Sequence, residues 1–294
     1  MDWTPGGMSD DIEDRRDSSG GGGGGFNLGG GGLGIIGFVL LLVISLVTGH
    51  NFIGSYLSGG HAPMQSAQSS PPGQPRPHPA GEDRDAQLIS FVLDDAQKTW
   101  TKIFTENHRQ YRHAKLVLYR GTTYSGCGTA RATTGPFYCP QDEKIYIDLS
   151  FWDELKRFGG DTGDFAQAYV IAHELGHHVQ KLLGIEARMT RLAQQEPDEK
   201  NPLSVDLELQ ADCFAGVWGH STEQRNIVHP NDVAGALKAA AAVGDDHLQR
   251  MSGRAVSPES FTHGTSAERK EWFTKGLEGG TIQSCPTFNN KLAP

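Results

Sequence analysis

The sequence predicts an α+β fold in which a mostly helical domain carries a small sheet and follows one transmembrane helix. Three observations support this prediction. Several long segments after residue 84 place apolar residues at helical spacing. Two short segments alternate apolar and polar residues as strands do. Earlier in the chain, an uncharged apolar run lies within residues 18–75, which contain no Lys, Arg, Asp or Glu.

The composition narrows the classes of partner. The chain has 294 residues and a formal net charge of −9, so it can form one sizeable core or two modest ones. A nucleic-acid binder needs a basic face to neutralise phosphates, and this acidic chain argues against one. A peptide or protein partner is compatible with the charge.

The N-terminal third predicts a tail followed by an anchor. Residues 1–32 are polar and then almost pure glycine, which predicts a disordered Gly-rich tail. Residues 33–57 are apolar and long enough to span a bilayer, which predicts a transmembrane anchor. A buried core helix would show a polar face, and a cleaved signal peptide would end at a small-residue site. Neither feature is present, so we expect a retained anchor.

The charges beside this span predict its orientation. Arg15 and Arg16 precede it, so the positive-inside rule predicts a cytoplasmic tail and a periplasmic domain in a single-pass inner-membrane protein. Residues 58–84 are rich in Pro and Gly and predict a linker. Residues 85–294 then form the folded domain.

Within this domain the predicted elements are ordered along the chain. They are a helix over 85–104, strands over 115–121 and 144–151, and helices over 161–184, 201–221, 232–251 and 265–277. In the first helix, Leu88, Val92 and Ala96 lie on one face. The fourth element, the helix over 161–184, ends at Gly184, a common residue just past a helix end.

The stretch "HELGH" carries the chemistry of this helix. His173 and His177 are four positions apart, so they lie one turn apart on one face and can bind the same metal ion. Glu174 lies on a neighbouring side, which suits a general base beside a metal-activated water. His178 is turned away from this face and is expected to be a core or rim histidine.

A catalytic zinc needs a third protein ligand and one open position. Zinc peptidases with the longer motif H-E-x-x-H-x-x-G-x-x-H are excluded, because Gln180 and Leu183 replace its last two positions. In "DLELQADCF", Glu208 and Asp212 lie one turn apart among apolar residues, where a carboxylate needs a partner. We therefore expect Glu208 to be a ligand and Asp212 to support a ligand histidine. Asp206, the competing carboxylate, lies on nearly the opposite face.

The stretches "AHELGHHVQ" and "LELQADCFAGVW" together resemble the bacterial neutral zinc metallopeptidase family. The resemblance extends to "EDRR", "SGCGTA", "GPFYCPQDEKIYIDLSFW", "SFTHGTSAERKEWF" and "CPTF". It implies a membrane-anchored protein with a zincin-like domain that binds one Zn²⁺. The implied zinc ligands are His173, His177 and Glu208, and Glu174 is the implied catalytic acid and base. The resemblance does not define a substrate.

One stretch resembles a different class of zinc peptidase. "THGTSAER" is similar to the T-H-P-x-x-x-x-R stretch of membrane-associated CAAX-prenyl-type zinc peptidases, with Gly264 in place of the proline. From this similarity we expect His263 to donate to the oxyanion of the tetrahedral intermediate and Arg269 to pair with a buried carboxylate. The alternative is a helix-start histidine beside a surface arginine.

The predicted function is therefore that of a zinc-dependent endopeptidase that acts on peptides or proteins outside the cytoplasmic membrane. One alternative is a non-catalytic, zinc-stabilised, membrane-anchored module that binds envelope proteins. Another is an intracellular zincin whose apolar run is a packing helix.

The four cysteines permit either free thiols or two disulfides. The pairs Cys127–Cys139 and Cys213–Cys285 are favoured, because the first would close a turn-rich loop and the second would tie the tail to the Glu208 helix. Three pairings are possible, and the sequence does not choose among them.

Overall fold

The computed structural model describes residues 1–17, 78–79, 81–289 and 291. The strands are β1 (Ile12–Asp14), β2 (Lys115–Tyr119), β3 (Thr122–Ser125), β4 (Gly128–Arg131), β5 (Phe137–Cys139) and β6 (Lys144–Asp148). The helices are α1 (Glu82–Glu106), α2 (Phe151–Arg157), α3 (Asp164–Leu182), α4 (Ile185–Gln195), α5 (Lys200–Gln224), α6 (Pro230–Ala242), α7 (Asp245–Met251) and α8 (Ser266–Gly279).

A four-stranded sheet lies beside the helices in the order β1-β2-β6-β5. Strands β1, β2 and β6 are parallel, and β5 runs antiparallel to β6. Leu118 lies opposite Ile147, and both belong to the buried core that includes the helices. The alternate residues Val117 and Tyr146 point to the other face and form a smaller cluster with Ala130 from the β3–β4 hairpin. Both faces of the sheet are therefore covered.

Helix α3 occupies the centre of the helical part and contacts α1, α5 and α6. The apolar stripe predicted for the first helix is found on α1, where Leu88, Val92 and Ala96 are fully buried. The stripe packs in the same core as Ile171 and Leu175 of α3. This packing places α3 between α1, α5 and α6.

The predicted helix over 232–251 is two helices in the structure. Helix α6 ends at Ala242, and α7 begins at Asp245. Gly244 between them is extended, with a ψ of 140°, which no helix continues through. The second predicted strand is also shorter than expected, because a helix begins at Phe151.

The prediction of a disordered N-terminal tail is wrong for residues 1–17, which we call the N-terminal strap. Within it, β1 adds a strand to the sheet, with Ile12 opposite Leu116. Lys144 Nζ lies 2.5 Å from Glu13 Oε1, so charges of the strap pair with the domain. The polar composition that predicted disorder supplies these ion pairs, and composition alone does not reveal their partners. Residues 18–32 lie outside the described residues.

The predicted transmembrane anchor is also corrected. The span over 33–57 lies outside the described residues, as does nearly all of the linker over 58–84. Within the part of the chain that the structure describes, no helix is both long enough and apolar enough to cross a membrane. A single crossing at 33–57 would also separate β1 from β2, yet these strands pair in one sheet. The described residues form an α+β fold, and because strands before and after residues 33–57 pair in one sheet, the predicted single-pass inner-membrane topology is wrong.

Candidate metal centre

The two motif histidines lie in the second half of α3. Positions 173 and 177 face α5, and their ring centroids are 4.9 Å apart. Both rings are largely removed from solvent, with side-chain exposures of 8% and 15%. Their spacing of one helical turn brings both imidazoles to the same point, as the sequence predicted.

Glu208 reaches the same point from α5. Its Oε2 lies 3.2 Å from His173 Nε2, and its Oε1 lies 3.5 Å from His177 Nε2. One donor atom from each of the three residues lies within 4.8 Å of the other two. The structure therefore brings together the three ligands that the sequence predicted.

These donors fit a single zinc ion. Two imidazole nitrogens and one carboxylate are a typical protein ligand set of a catalytic zinc, which keeps a fourth position open. Burial works to raise the pKa of Glu208, but the neighbouring His177 and His173 hold it well below its usual range. Burial likewise works to lower the pKa of His173, but Asp212 raises it to about 10. The electrostatic environment of the centre thus favours a positive charge, which a divalent ion would supply.

A buried network orients His173 from behind. Its Nδ1 lies 2.8 Å from Asp212 Oδ1, so Nδ1–H donates and Nε2 is directed toward Glu208. Arg269 donates to both Asp212 oxygens at 2.8 and 3.0 Å, and the Tyr169 hydroxyl donates to Oδ1. Burial works to raise the pKa of Asp212, but Arg269 and His173 lower it to about 2. Asp212 accepts from His173 and Arg269 pairs with a buried carboxylate, as expected, and the structure shows that this carboxylate is Asp212 itself.

A second network, which the sequence analysis missed, orients His177. Its Nδ1 lies 2.9 Å from Gln180 Oε1. The Gln180 amide in turn donates to the Leu207 carbonyl at 2.7 Å, one residue before Glu208. Gln180 thus couples one ligand to the backbone beside another. Its position one turn after His177 is a signal that the sequence does contain.

Glu174 lies in the same cavity without joining the donor group. It is 7% exposed, and its carboxylate forms no hydrogen bond with any residue that the structure describes. Burial raises the pKa of Glu174, although His173 and His177 partly oppose the effect. Such a carboxylate is a stronger base than one in water.

His263 approaches from the loop before α8. Its Nδ1 lies 3.3 Å from Asp245 Oδ1, and Asp245 Oδ2 accepts from the backbone N–H of Thr262, His263 and Gly264. Gly264 has a φ of +85°, a left-handed conformation that favours glycine and that proline cannot adopt. The backbone conformation at position 264 therefore explains why glycine stands where the similar stretch has proline.

Two other side chains lie away from the centre. His178 is fully buried, accepts from the Tyr138 hydroxyl at Nδ1 and donates from Nε2 to the Arg112 carbonyl. Burial lowers the pKa of His178, which agrees with a neutral core histidine. Asp206 pairs with Lys291, with 3.4 Å between Oδ2 and Nζ.

A cavity of about 270 Å³ opens onto the metal centre. All three donor residues line it, and so do Glu174, His263 and Arg269. The groups that could bind and polarise a substrate thus face one shared space.

Both favoured disulfides are present. Cys127 is bonded to Cys139, which closes the segment that contains β4 and β5, and Cys213 is bonded to Cys285. The second bond ties α5, the helix of Glu208, to a segment 72 residues further along the chain. The helix that carries Glu208 is therefore covalently linked to the C-terminal segment.

The chain belongs to the neutral zinc metallopeptidase family: the model of the family described as "Putative neutral zinc metallopeptidase" matches residues 1–288. The match includes the N-terminal strap as well as the domain.

Among its relatives, "Uncharacterized protein YpfJ" of Escherichia coli (strain K12) is 47% identical over 298 residues, covering 99% of this chain and 100% of that protein. "Uncharacterized protein Rv2575" of Mycobacterium tuberculosis (strain ATCC 25618 / H37Rv) is 42% identical over 190 residues, covering 61% of this chain and 64% of that protein. No solved structure matches the chain.

Proposed function

We propose that the protein is a zinc-dependent endopeptidase that hydrolyses peptide bonds of peptide or protein substrates. Glu174 is the observation that carries this proposal. A zinc site that only stabilises a fold is closed by four protein ligands and needs no further carboxylate. Here three donors converge, and the buried carboxylate of Glu174 lies beside them without a partner among the described residues.

The reaction uses Glu174 to move a proton. When bound, zinc supplies Lewis-acid chemistry, because it lowers the pKa of a water molecule and polarises the substrate carbonyl. Glu174 takes a proton from the water as the C–O bond forms and delivers it to the amine as the C–N bond breaks. Burial raises the pKa of Glu174, which makes its carboxylate a stronger base than one in water.

His263 stabilises the charge that develops on the carbonyl oxygen. Asp245 holds the ring through Nδ1, which leaves Nε2 to donate to the oxyanion. Burial works to lower the pKa of His263, but Asp245 and Glu208 raise it, which favours the protonated ring. Arg269 has a positioning role: it donates to Asp212, and Asp212 in turn accepts from His173.

Replacing Glu174 with Gln tests the proposal directly. The zinc ligands are untouched, so Glu174→Gln should bind one zinc per chain and unfold at the same temperature as the wild type. Its hydrolysis should fall by about 10²–10⁴-fold, the usual contribution of a general base. Zinc is measured by elemental analysis, and cleavage by mass spectrometry of a proteome-derived peptide pool.

Glu271→Gln is the matched control, because it makes the same chemical change at an exposed position on α8. It should keep full activity. Undiminished cleavage by Glu174→Gln would contradict the mechanism. Zinc binding without cleavage by the wild type would instead favour a zinc-stabilised binding module.

A further inference from the structure

The cavity continues from the metal centre into an apolar pocket. Side chains of four helices line it, and two of these residues lie just past the end of their helix. We call this part the apolar pocket, and it is lined by Phe151, Leu155, Phe158, Val170, Ala239, Val243 and Leu248. Positions 151 and 155 of α2 and position 158 just past its end recur at helical spacing, and so do position 239 of α6 and position 243 just past its end. The pocket is therefore built from regular, well-packed faces rather than from a loop.

Its place along α3 relates it to the reacting bond. Val170 lies three residues before His173, so the two share one face and are about one turn apart. The apolar pocket thus begins about 5 Å from the first metal ligand. At that distance it can receive a side chain next to the bond that Glu174 and the metal centre would cleave.

The charges on this side do not favour a charged substrate side chain. Glu154 and Arg157 of α2 also line the cavity, and they carry opposite signs. Gln180 and Glu186 add polar groups to the lining after His177. Other parts of the lining are also apolar, among them Phe137, Tyr138 and Leu207, and the apolar pocket is the part contributed by α2, α6 and α7 together with Val170.

We propose that the apolar pocket binds one large apolar side chain, such as that of Leu, Ile, Phe or Met, immediately beside the scissile bond. This inference rests on the proposed peptidase activity and adds the class of substrate to it. Burial of such a side chain among seven apolar residues is favourable, and the rest of the cavity is left for the substrate backbone.

Filling the pocket tests the inference. Ala239 is fully buried in its wall, so Ala239→Leu should exclude large side chains. We expect wild-type cleavage sites in a proteome-derived peptide pool to be enriched in Leu, Ile, Phe and Met at one flanking position. In Ala239→Leu, the ratio of large apolar to small residues there should fall by about 10–200-fold. Ala234→Leu makes the same change at an exposed position of α6 and should keep the wild-type ratio.

Val243→Ala gives an independent test that does not depend on how Ala239→Leu folds. It enlarges the pocket at a half-buried position, so it should raise the ratio of Phe to Leu at the same flank. Cleavage without an apolar preference, or a preference that neither pocket variant changes, would overturn the inference and leave the peptidase proposal intact. Zinc-loaded wild type that cleaves nothing would overturn the peptidase proposal itself.

Discussion

Asp212 connects the metal ligand His173 to the buried charge of Arg269. It is completely buried, and its hydrogen-bond partners are polar or charged side chains of two other helices, Tyr169 and His173 of α3 and Arg269 of α8. The spacing of Glu208 and Asp212 made both detectable in the sequence. Gln180 was overlooked although its spacing from His177 is just as regular, because its role depends on the Leu207 carbonyl across the helix interface. Asp245 gives no such signal, since only the tertiary fold brings it to the loop of His263.

We expect Asp212→Asn to bind zinc about 10–100-fold more weakly than the wild type, because the amide orients and polarises His173 less effectively. Competition with a zinc chelator measures this affinity on protein shown to be folded by circular dichroism. Asp206→Asn is the matched control on the same helix, where the carboxylate pairs with Lys291, and it should bind zinc normally. Equal affinities for the two variants would mean that Asp212 does not support the ligand.

At the scale of elements, the packing of α5 against α8 determines how Arg269 meets Asp212. The two helix backbones approach closely because glycines face each other's helix. A Cβ added to Gly276 would lie 1.9 Å from the Cys213 carbonyl oxygen, and one added to Gly216 would lie 2.1 Å from the Phe273 carbonyl oxygen. The sequence predicted both helices, but it did not reveal that these glycines are their point of contact.

Gly276→Ala should therefore destabilise the protein by about 1–3 kcal/mol, because the added methyl group forces the helices apart. Urea unfolding followed by fluorescence measures the change. Gly235→Ala is the matched control within a helix, since its Cβ would lie 3.4 Å from the nearest described atom, in ordinary contact. It should stabilise the protein by up to about 1 kcal/mol through helix propensity. A neutral Gly276→Ala would show that the close approach is not required.

At the scale of the whole molecule, the N-terminal strap and the domain form one sheet. Periodicity within single elements predicted the long helices of the domain and the strands β2 and β6. The same approach does not detect the ordered strap, because the order of the strap depends on pairing with residues about a hundred positions away. Asp11 shows the reason: it accepts from Lys115 at 2.7 Å and contacts His113 at 2.7 Å. Polar composition is equally compatible with disorder and with such pairing.

These contacts predict that acid loosens the strap. Burial works to raise the pKa of Asp11, but the hydrogen bonds from Lys115 and His113 lower it overall. A carboxyl group with a lowered folded-state pKa stabilises the fold above its ordinary pKa of about 3.9. That stabilisation is lost as the pH falls through the folded-state value.

Asp11→Asn should thus cost about 1 kcal/mol at pH 7, after allowance for solvent screening, and progressively less toward pH 3. Urea unfolding at both pH values measures the difference. Asp10→Asn alters the exposed neighbouring side chain and should leave the pH dependence unchanged. The same loss at pH 7 and pH 3 in Asp11→Asn would argue against a charge-dependent contact.

The central claim is that two imidazoles of α3 and one carboxylate of α5 hold the same ion. Anomalous diffraction at the zinc absorption edge, from crystals grown with zinc, tests it most directly. We predict one zinc peak about 2.0–2.2 Å from Nε2 of His173, Nε2 of His177 and a carboxylate oxygen of Glu208. A zinc peak elsewhere, or a Glu208 side chain turned away from both histidines, would contradict the claim.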